Sequence, residues 1–158
     1  MGMDISGLKP KTKKGEYFQN NVWYWRLLWN YCEEIAPDII PADNLGHSND
    51  GWGLPAKKAK ELGERLLELI ESGHTESTAK EYQQHKNSIP KETCFLCNGS
   101  GCRRDAIGVV NGMDKKEWCK GCDGKGKRAP TITWYSFDIE NVREFAEFLI
   151  ASGGFKIY

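Results

Sequence analysis

The sequence has no long apolar run and no excess of charge of either sign. Its apolar stretches fall well short of the roughly 20 residues that a membrane-spanning helix needs. Residues 1–15 contain lysines but no apolar stretch after a basic start, so they do not read as a secretory signal. The 22 basic residues balance the 22 acidic ones, which argues against a chain dominated by nucleic-acid or membrane electrostatics. We therefore expect a cytoplasmic protein without a membrane partner.

Motifs for common catalytic chemistry are also missing. The sequence has no glycine-rich phosphate loop ending in Lys-Ser or Lys-Thr, no paired HExxH and no Gly-x-Ser-x-Gly elbow. His47, His74 and His85 are widely separated in loop or polar contexts, which favours surface histidines over metal ligands. We predict a protein that is not an enzyme, with no catalytic residue and no organic cofactor.

Six cysteines are present, and the spacing of four of them carries the strongest chemical signal in the chain. In a reducing compartment, paired thiols more often hold metal or perform redox chemistry than form structural disulfides. CxxCxGxG occurs twice, beginning at Cys94 and at Cys119. A two-residue gap lets one turn aim both sulfurs at one ion about 2.3 Å away, and two such turns complete a tetrahedron. We predict one structural Zn²⁺ held by Cys94, Cys97, Cys119 and Cys122.

Two other readings of the cysteines stay open from the sequence alone. Four sulfurs also fit a rubredoxin-like iron site. A CxxC pair can be a disulfide oxidoreductase site, although such a site usually follows a strand, opens a helix and uses one pair. Cys102 has no counterpart after the second motif and is expected to be a free thiol. Cys32 falls on an apolar helix and is expected to be buried and inert.

The glycines of the two motifs and one dipeptide between them predict local backbone geometry. After the second cysteine of each pair the chain must reverse, which favours positive φ and therefore glycine. Asn111-Gly112 is the strongest hairpin signal in the chain, with candidate strands at 107–110 and 113–118. Such a hairpin would bring the two cysteine turns together.

Hydrophobic periodicity and caps predict helices at 22–36, 55–72 and 139–152, and residues 75–86 form either a polar helix or a linker. Alternation predicts a strand at 131–137, with a short strand at 155–158 beside it. The expected fold class is α+β: a small mixed helical domain with a short C-terminal sheet and an inserted zinc-binding β-hairpin. The predicted divisions are a flexible basic tail at 1–15, a core domain at 16–90 and 131–158, and a zinc module at 91–130.

A resemblance to known zinc modules is carried by CFLCNGSG, which begins at Cys94, and CKGCDGKG, which begins at Cys119. Both resemble the cysteine-rich repeats of DnaJ-type co-chaperones, and they are similar to the zinc module of phage antitermination proteins of the lambda Q type. Those co-chaperones usually carry four repeats and two zinc ions, so two repeats imply one ion. The His-Pro-Asp signature of their J domain is absent here.

The flanks at 17–26 and 145–155 look like small uncharacterised proteins of phages and prophages. This resemblance implies an accessory role in the cytoplasm of a host cell.

The aromatic helix at 22–36 is apolar nearly all round, so it is either a central core helix or a helix covered by a partner or a second copy in a homo-oligomer. We favour a protein partner over other macromolecules, because Trp and Tyr commonly anchor interfaces. The candidate contact residues are Trp23, Trp25, Trp52, Arg103, Arg104, Lys115, Lys116 and Trp118. Alternatives are nucleic-acid binding by the basic zinc module and nucleotide or small-ligand binding by the aromatic helix with the 43–53 loop.

Overall fold

The structure is a computed structural model that describes residues 2–114 and 118–158. It is a mixed α+β protein of helices and short antiparallel sheets, as predicted. Two compact units are distinguished: a core unit formed by Met1–Gln83 with Tyr135–Tyr158, and a cysteine unit formed by Gln84–Trp134. None of the described helices is both long enough and apolar enough to cross a bilayer.

The core unit contains a three-stranded antiparallel sheet whose central strand comes from the N-terminus. Strand β1 (Gly2–Gly7) lies between β2 (Tyr17–Asn21) and β5 (Phe155–Ile157). Ile5 pairs with Phe18 on one side and with Ile157 on the other. The predicted flexible tail at 1–15 is therefore wrong. Met3 and Ile5 alternate into the core, but an alternation this short is hard to see in a sequence beside four lysines.

The long helices agree with the predictions from periodicity and capping. Helix α1 spans Val22–Ile35, α2 spans Ala56–Glu71 and α3 spans His74–Ser88. In the cysteine unit, α4 is a short helix at Ala106–Val110, and in the core unit α5 spans Ile139–Ser152. The carboxylate of Asp138 accepts a hydrogen bond from the backbone N–H of Glu140 at 3.0 Å, which caps α5.

Large aromatic side chains fill the core between α1, α5 and the sheet. The Trp25 and Trp29 rings are stacked at 5.3 Å, and the Phe145 ring meets Trp25 edge-on at the same separation. Both tryptophans are fully buried. Helices α2 and α5 approach closely at Gly63, where an added Cβ would lie 2.7 Å from the carbonyl oxygen of Ala146.

The loop between α1 and α2 is held to the aromatic helix by side-chain hydrogen bonds. The Trp25 indole N–H donates to the carbonyl of Gly46 at 2.8 Å, and the Trp29 indole N–H donates to Asn44 Oδ1 at 3.0 Å. Asn44 Nδ2 donates in turn to Glu33 Oε1 at 2.7 Å. A Cβ at Gly46 would lie 2.1 Å from the Trp29 ring. At this point the loop backbone packs directly against the Trp29 ring.

Two strand predictions and one strand pairing are wrong. Residues 107–110 belong to helix α4, whose first turn closes through a hydrogen bond from Val109 N–H to Asp105 O at 2.9 Å. Residues 131–134 form a 3-10 helix instead of a strand, and Thr133 N–H donates to Pro130 O at 2.9 Å. The C-terminal strand pairs with β1 and not with 131–137. Residues 115–117 of the predicted 113–118 strand lie outside the described residues.

Candidate metal centre

Four cysteine sulfurs converge in the cysteine unit. The Sγ atoms of Cys94, Cys97, Cys119 and Cys122 all lie within 4.8 Å of one another, and the four side chains are buried. Cys94 Sγ and Cys119 Sγ are 4.0 Å apart, and Cys97 Sγ and Cys122 Sγ are 3.7 Å apart. A tetrahedral ion bound by sulfur at about 2.3 Å requires sulfur–sulfur separations of about 3.8 Å. Disulfides, with a bond of about 2.05 Å, do not fit these distances.

The two CxxCxGxG turns have the same backbone conformation and lock against each other through their glycines. Gly101 and Gly126, at matching positions, have φ values of +73° and +71°. A Cβ on Gly101 would lie 2.3 Å from the carbonyl oxygen of Gly124, and one on Gly126 would lie 2.2 Å from that of Gly99. Only glycine fits both the left-handed backbone and this close approach.

A two-stranded ladder at the base of the unit brings the two cysteine turns together. Strand β3 (Glu92–Thr93) pairs antiparallel with β4 (Lys127–Arg128). Immediately after β3, the Cys94 N–H donates to the carbonyl of Gly126 at 2.9 Å. The predicted inserted β-hairpin at Asn111-Gly112 is therefore not the device that joins the turns, because α4 occupies its first strand.

Burial and backbone amides act on the sulfurs in opposite directions. Burial raises the pKa of Cys119 to about 11. Burial also raises the pKa of Cys97, but hydrogen bonds from the Gly101 and Gly99 amides and contact with the Cys122 sulfur outweigh it and lower that pKa to about 7. A metal ion requires all four sulfurs as thiolates, so binding releases protons. We expect the affinity for metal to fall as the pH falls.

The sulfurs also replace a conventional core in this unit. The buried apolar cluster there consists of the four cysteines, with Leu96 packed against them. Among residues 2–114 and 118–158, no other group of His, Cys, Asp and Glu side chains converges in this way. The site is a candidate metal centre with a donor set of four thiolates, a set typical of zinc or of iron.

No protein-family model, no curated protein and no solved structure matches this chain. The similarity of residues 94–126 to co-chaperone and antiterminator zinc modules therefore stays an expectation from the motifs. The geometry of the four sulfurs supports the metal site without it.

The two remaining cysteines lie outside the cluster. Cys102 is buried, and its thiol donates to the backbone carbonyl of Asp114 at 3.2 Å. Cys32 is fully buried in the core unit, and burial raises the pKa of its thiol. Cys102 is a free thiol and Cys32 is buried, as expected.

Two of the tryptophans predicted as partner contacts belong to the core. Trp25 is fully buried, and the Trp52 ring is partly buried with an edge-on contact to Trp29 at 5.4 Å. Trp25 is therefore wrong as a contact residue, because the near-continuous apolar surface of α1 is enclosed by its own chain. Trp23 is 39% exposed and stacks on Tyr135 at 5.6 Å.

Two of the candidate residues in the cysteine unit, Arg103 and Trp118, line one cavity of about 170 Å³. Arg103 forms a two-point ion pair with Asp105, with both N–O distances 2.8 Å, and this hydrogen-bonded pairing raises the pKa of Arg103 and lowers that of Asp105. Arg104 is exposed, and Trp118 is 44% exposed. Lys115 and Lys116 lie outside the described residues.

Two exposed aromatic residues of the cysteine unit were missed by the sequence reasoning. Phe95 is 63% exposed and Trp134 is 60% exposed. Arg128 lies between them in contact, with its Cζ 4.3 Å from the centre of the Phe95 ring and 5.9 Å from that of Trp134. Phe95 carried no distinguishing signal in the sequence, because Leu96 beside it in the same CxxC packs against the sulfurs instead.

Proposed function

We propose that this chain is a zinc-dependent binding protein in which one Zn²⁺ stabilises residues 84–134 and the surface of that unit contacts a macromolecule. The observation that supports it most strongly is the set of sulfur–sulfur separations, 3.7 and 4.0 Å, beside the roughly 3.8 Å of a zinc tetrahedron. Among the described residues of the unit, the four sulfurs with Leu96 form the buried apolar cluster, so a bound metal would have a structural role there.

The donor set favours a structural role over a catalytic one. Catalytic zinc generally keeps one coordination position for water or substrate, whereas four thiolates close the shell. Four free thiolates also require a reducing environment, which fits a protein of the cytoplasm. We therefore propose a protein without enzymatic activity.

The binding surface is assigned to the cysteine unit because large apolar side chains are exposed there. They are Phe95, Ile107, Val109, Val110, Trp118, Ile132 and Trp134. Residues 84–134 also contain ten lysines and arginines against five aspartates and glutamates. The aromatic helix α1, by contrast, has its largest side chains in the core. The surface of the cysteine unit is thus both apolar and basic.

The test of the metal proposal is elemental analysis of the purified full chain, with two cysteine variants in parallel. We expect one zinc per chain in the wild type and in Cys102→Ser, and loss of stoichiometric zinc in Cys97→Ser. Both variants exchange one sulfur for oxygen in the same unit, so only the ligand position differs. Absence of metal from the wild type, equal metal in both variants, or a red iron-containing protein would contradict a zinc site at these cysteines.

A protein partner is a second candidate for the contact, and it is supported by helix α4. Ile107, Val109 and Val110 are all exposed on this short helix, and Val110 is 85% exposed. Affinity capture with wild-type and Val110→Asp chains in parallel tests this candidate. We expect a protein that the wild type retains and the variant loses. If the two chains retain the same proteins, α4 is not the contact.

A further inference from the structure

Two flat aromatic rings are exposed on one side of the cysteine unit and share one guanidinium group. Arg128 contacts both the Phe95 and the Trp134 ring, while each ring remains about 60% exposed. Exposed aromatic rings leave apolar surface in water, and a ligand that covers them removes that surface from water. Rings held in this way present flat faces to a flat ligand.

The Arg128 side chain that contacts the two rings is itself held in place by hydrogen bonds. Arg128 Nε and Nη2 both donate to Glu92 Oε1 at 3.2 Å. These two residues are also directly paired in the β3–β4 ladder, and Phe95 follows the ligand Cys94 in the chain. The Arg128 side chain is only 16% exposed. Its charge is already paired with Glu92 and lies against the two rings. Positive charge for a ligand must come from other residues.

Three lysines supply that charge. Lys91, Lys125 and Lys127 line a cavity of about 270 Å³ together with Trp134. All three lysines are exposed, and none has an ion-pair partner within residues 2–114 and 118–158. One carboxylate, that of Asp123, lines the same cavity. The lining therefore keeps a positive excess beside an exposed indole.

We propose that this surface, composed of Phe95, Arg128, Trp134, Lys91, Lys125 and Lys127, binds single-stranded nucleic acid. The bases stack on the Trp134 and Phe95 rings, and the lysines contact the phosphates. Exposed rings with neighbouring cations are the combination that recognises unpaired bases on a charged backbone. The inference rests on the proposed function, because the metal centre holds Phe95 and the β3–β4 ladder in place.

Single-stranded nucleic acid fits this surface better than two other anionic ligands. In a duplex the base faces are already stacked on each other, so the rings would have nothing to contact and only the lysines would act. An acidic peptide would satisfy the lysines in the same way but offers no series of flat faces. The rings and the lysines are used together only by unpaired bases.

The test is fluorescence anisotropy of the full chain with labelled single-stranded RNA and DNA of mixed sequence at 50 and 200 mM salt. Three phosphate contacts give a slope of roughly −2 in log affinity against log salt, since single strands release about 0.7 counterion per contact. We therefore expect a loss of about 20-fold across this range. Trp134→Leu keeps apolar bulk but removes the ring, and it should weaken binding by at least about fivefold.

Matched controls separate this surface from general charge and from folding. Lys125→Gln combined with Lys127→Gln should make the slope of log affinity against log salt shallower by roughly 1.4. Lys57→Gln combined with Lys60→Gln removes the same charge from α2 and should leave the slope unchanged. Tyr158→Leu removes an exposed aromatic ring of the core unit and should also bind normally. Zinc content is measured for every sample, so a variant that has lost its metal is recognised.

Several results would overturn the inference. Duplex DNA or polyglutamate that binds as tightly as the single strand would show that the lysines act without the rings. Unchanged binding by Trp134→Leu would have the same meaning. A chain with one bound zinc and no single-strand binding at 50 mM salt overturns this inference alone, whereas a wild-type chain without zinc overturns both the inference and the proposed function.

Discussion

Individual glycines at the metal centre carry as much structural information as the cysteines beside them. Gly101 and Gly126 each combine a left-handed backbone with a neighbouring carbonyl oxygen where a Cβ would have to stand. If only one of these two requirements applied, the position would tolerate another residue. Both requirements together explain why the same position of each CxxCxGxG copy is glycine.

Gly101→Ala should weaken zinc binding by at least tenfold. A non-glycine residue in the left-handed region costs about 1–2 kcal/mol, and the new Cβ would also lie 2.3 Å from the Gly124 carbonyl, so the two cysteine turns must separate. Zinc affinity is measured by competition with a chromophoric chelator. Gly112→Ala is the matched control: Gly112 has a similar φ of +64° but no atom within 4 Å of its Cβ position.

Comparing Gly101→Ala with Gly112→Ala separates the effect of the contact between the two cysteine turns from the effect of backbone strain. Equal affinities for the two variants would mean that the contact between Gly101 and Gly124 contributes nothing to metal binding.

The metal ligands could be predicted at the scale of residues, whereas the exposed surface could not. Two cysteines three residues apart share one turn, so their convergence is a local property of the chain. Whether Trp23 or Trp25 faces solvent is decided by which side of α1 meets α5 and the sheet. When a helix has aromatic residues on most sides, its sequence does not show which side faces solvent.

At the scale of elements, α2 is an amphipathic helix whose buried side is adapted to one close neighbour. Gly63 lies on that buried side, where α5 passes over it. A glycine inside a helix costs about 1 kcal/mol relative to alanine. Its presence here is explained by the space that it leaves for the backbone of α5.

Gly63→Ala should destabilise the core unit despite the better helix propensity of alanine. The added methyl group would lie 2.7 Å from Ala146 O and 2.8 Å from Ile150 Cγ1, and overpacking of this kind typically costs about 1–3 kcal/mol. We expect a net loss of about 1 kcal/mol in the free energy of unfolding, measured by urea denaturation. Glu64→Ala, on the exposed side of α2, should change it by less than about 0.5 kcal/mol. A more stable Gly63→Ala chain would show that α5 moves away freely.

The ion pair between Arg65 of α2 and Asp38 should make stability depend on pH. Arg65 donates to both carboxylate oxygens at 2.5 and 2.8 Å, and this hydrogen bonding lowers the pKa of Asp38 to about 2. The value in an unfolded chain is about 3.9. Because the folded pKa is the lower one, the pair stabilises the fold above about pH 4, and this stabilisation is lost between about pH 4 and pH 2.

The urea midpoint of the core unit, followed by near-UV circular dichroism, measures this loss. The difference between wild type and Asp38→Asn should shrink as the pH falls from 5 to 2. Asp43→Asn removes an exposed carboxylate that has no ion pair within the described residues and should show no such trend. A difference between wild type and Asp38→Asn that is independent of pH would contradict the pairing.

Helices were predictable as elements, and most strands were not. The bounds of α1, α2 and α5 follow from local caps and from a 3.6-residue period. Residues 107–110 contain Ile and two Val and favour a strand by composition, but the hydrogen bond from Val109 to Asp105 closes a helical turn. Strand β5 was predicted, although its partner was not. The two residues of β3 and of β4 carry no periodic signal, and the six residues of β1 alternate too briefly to identify a strand.

At the scale of the whole molecule, two units derive their stability from different sources. The core unit has a large apolar cluster that includes Trp25, Trp29 and Phe145. In the described residues of the cysteine unit, the buried cluster consists of the four cysteines and Leu96. Unfolding of the chain should therefore not be a single two-state transition.

Removal of the metal should unfold the cysteine unit alone. After treatment with a strong chelator, hydrogen exchange followed by mass spectrometry should show loss of protection in peptides from 91–128. Peptides from α1 and α5 should keep their protection, because their core does not involve the metal. Added zinc should restore protection in 91–128. Loss of protection in both parts, or in neither, would contradict separate sources of stability.

The sequence by itself determined the four cysteines of the candidate metal centre, the long helices and the α+β class, because each depends on spacing, caps and period within a short stretch of chain. Tertiary structure decided the position of β1 at the centre of the sheet, since Ile5 finds its partner Ile157 only when the two ends of the chain meet. It also decided which aromatic rings are buried in the core and which remain at the surface. Those outcomes depend on contacts between residues far apart in the chain, and local pattern carries no record of such contacts.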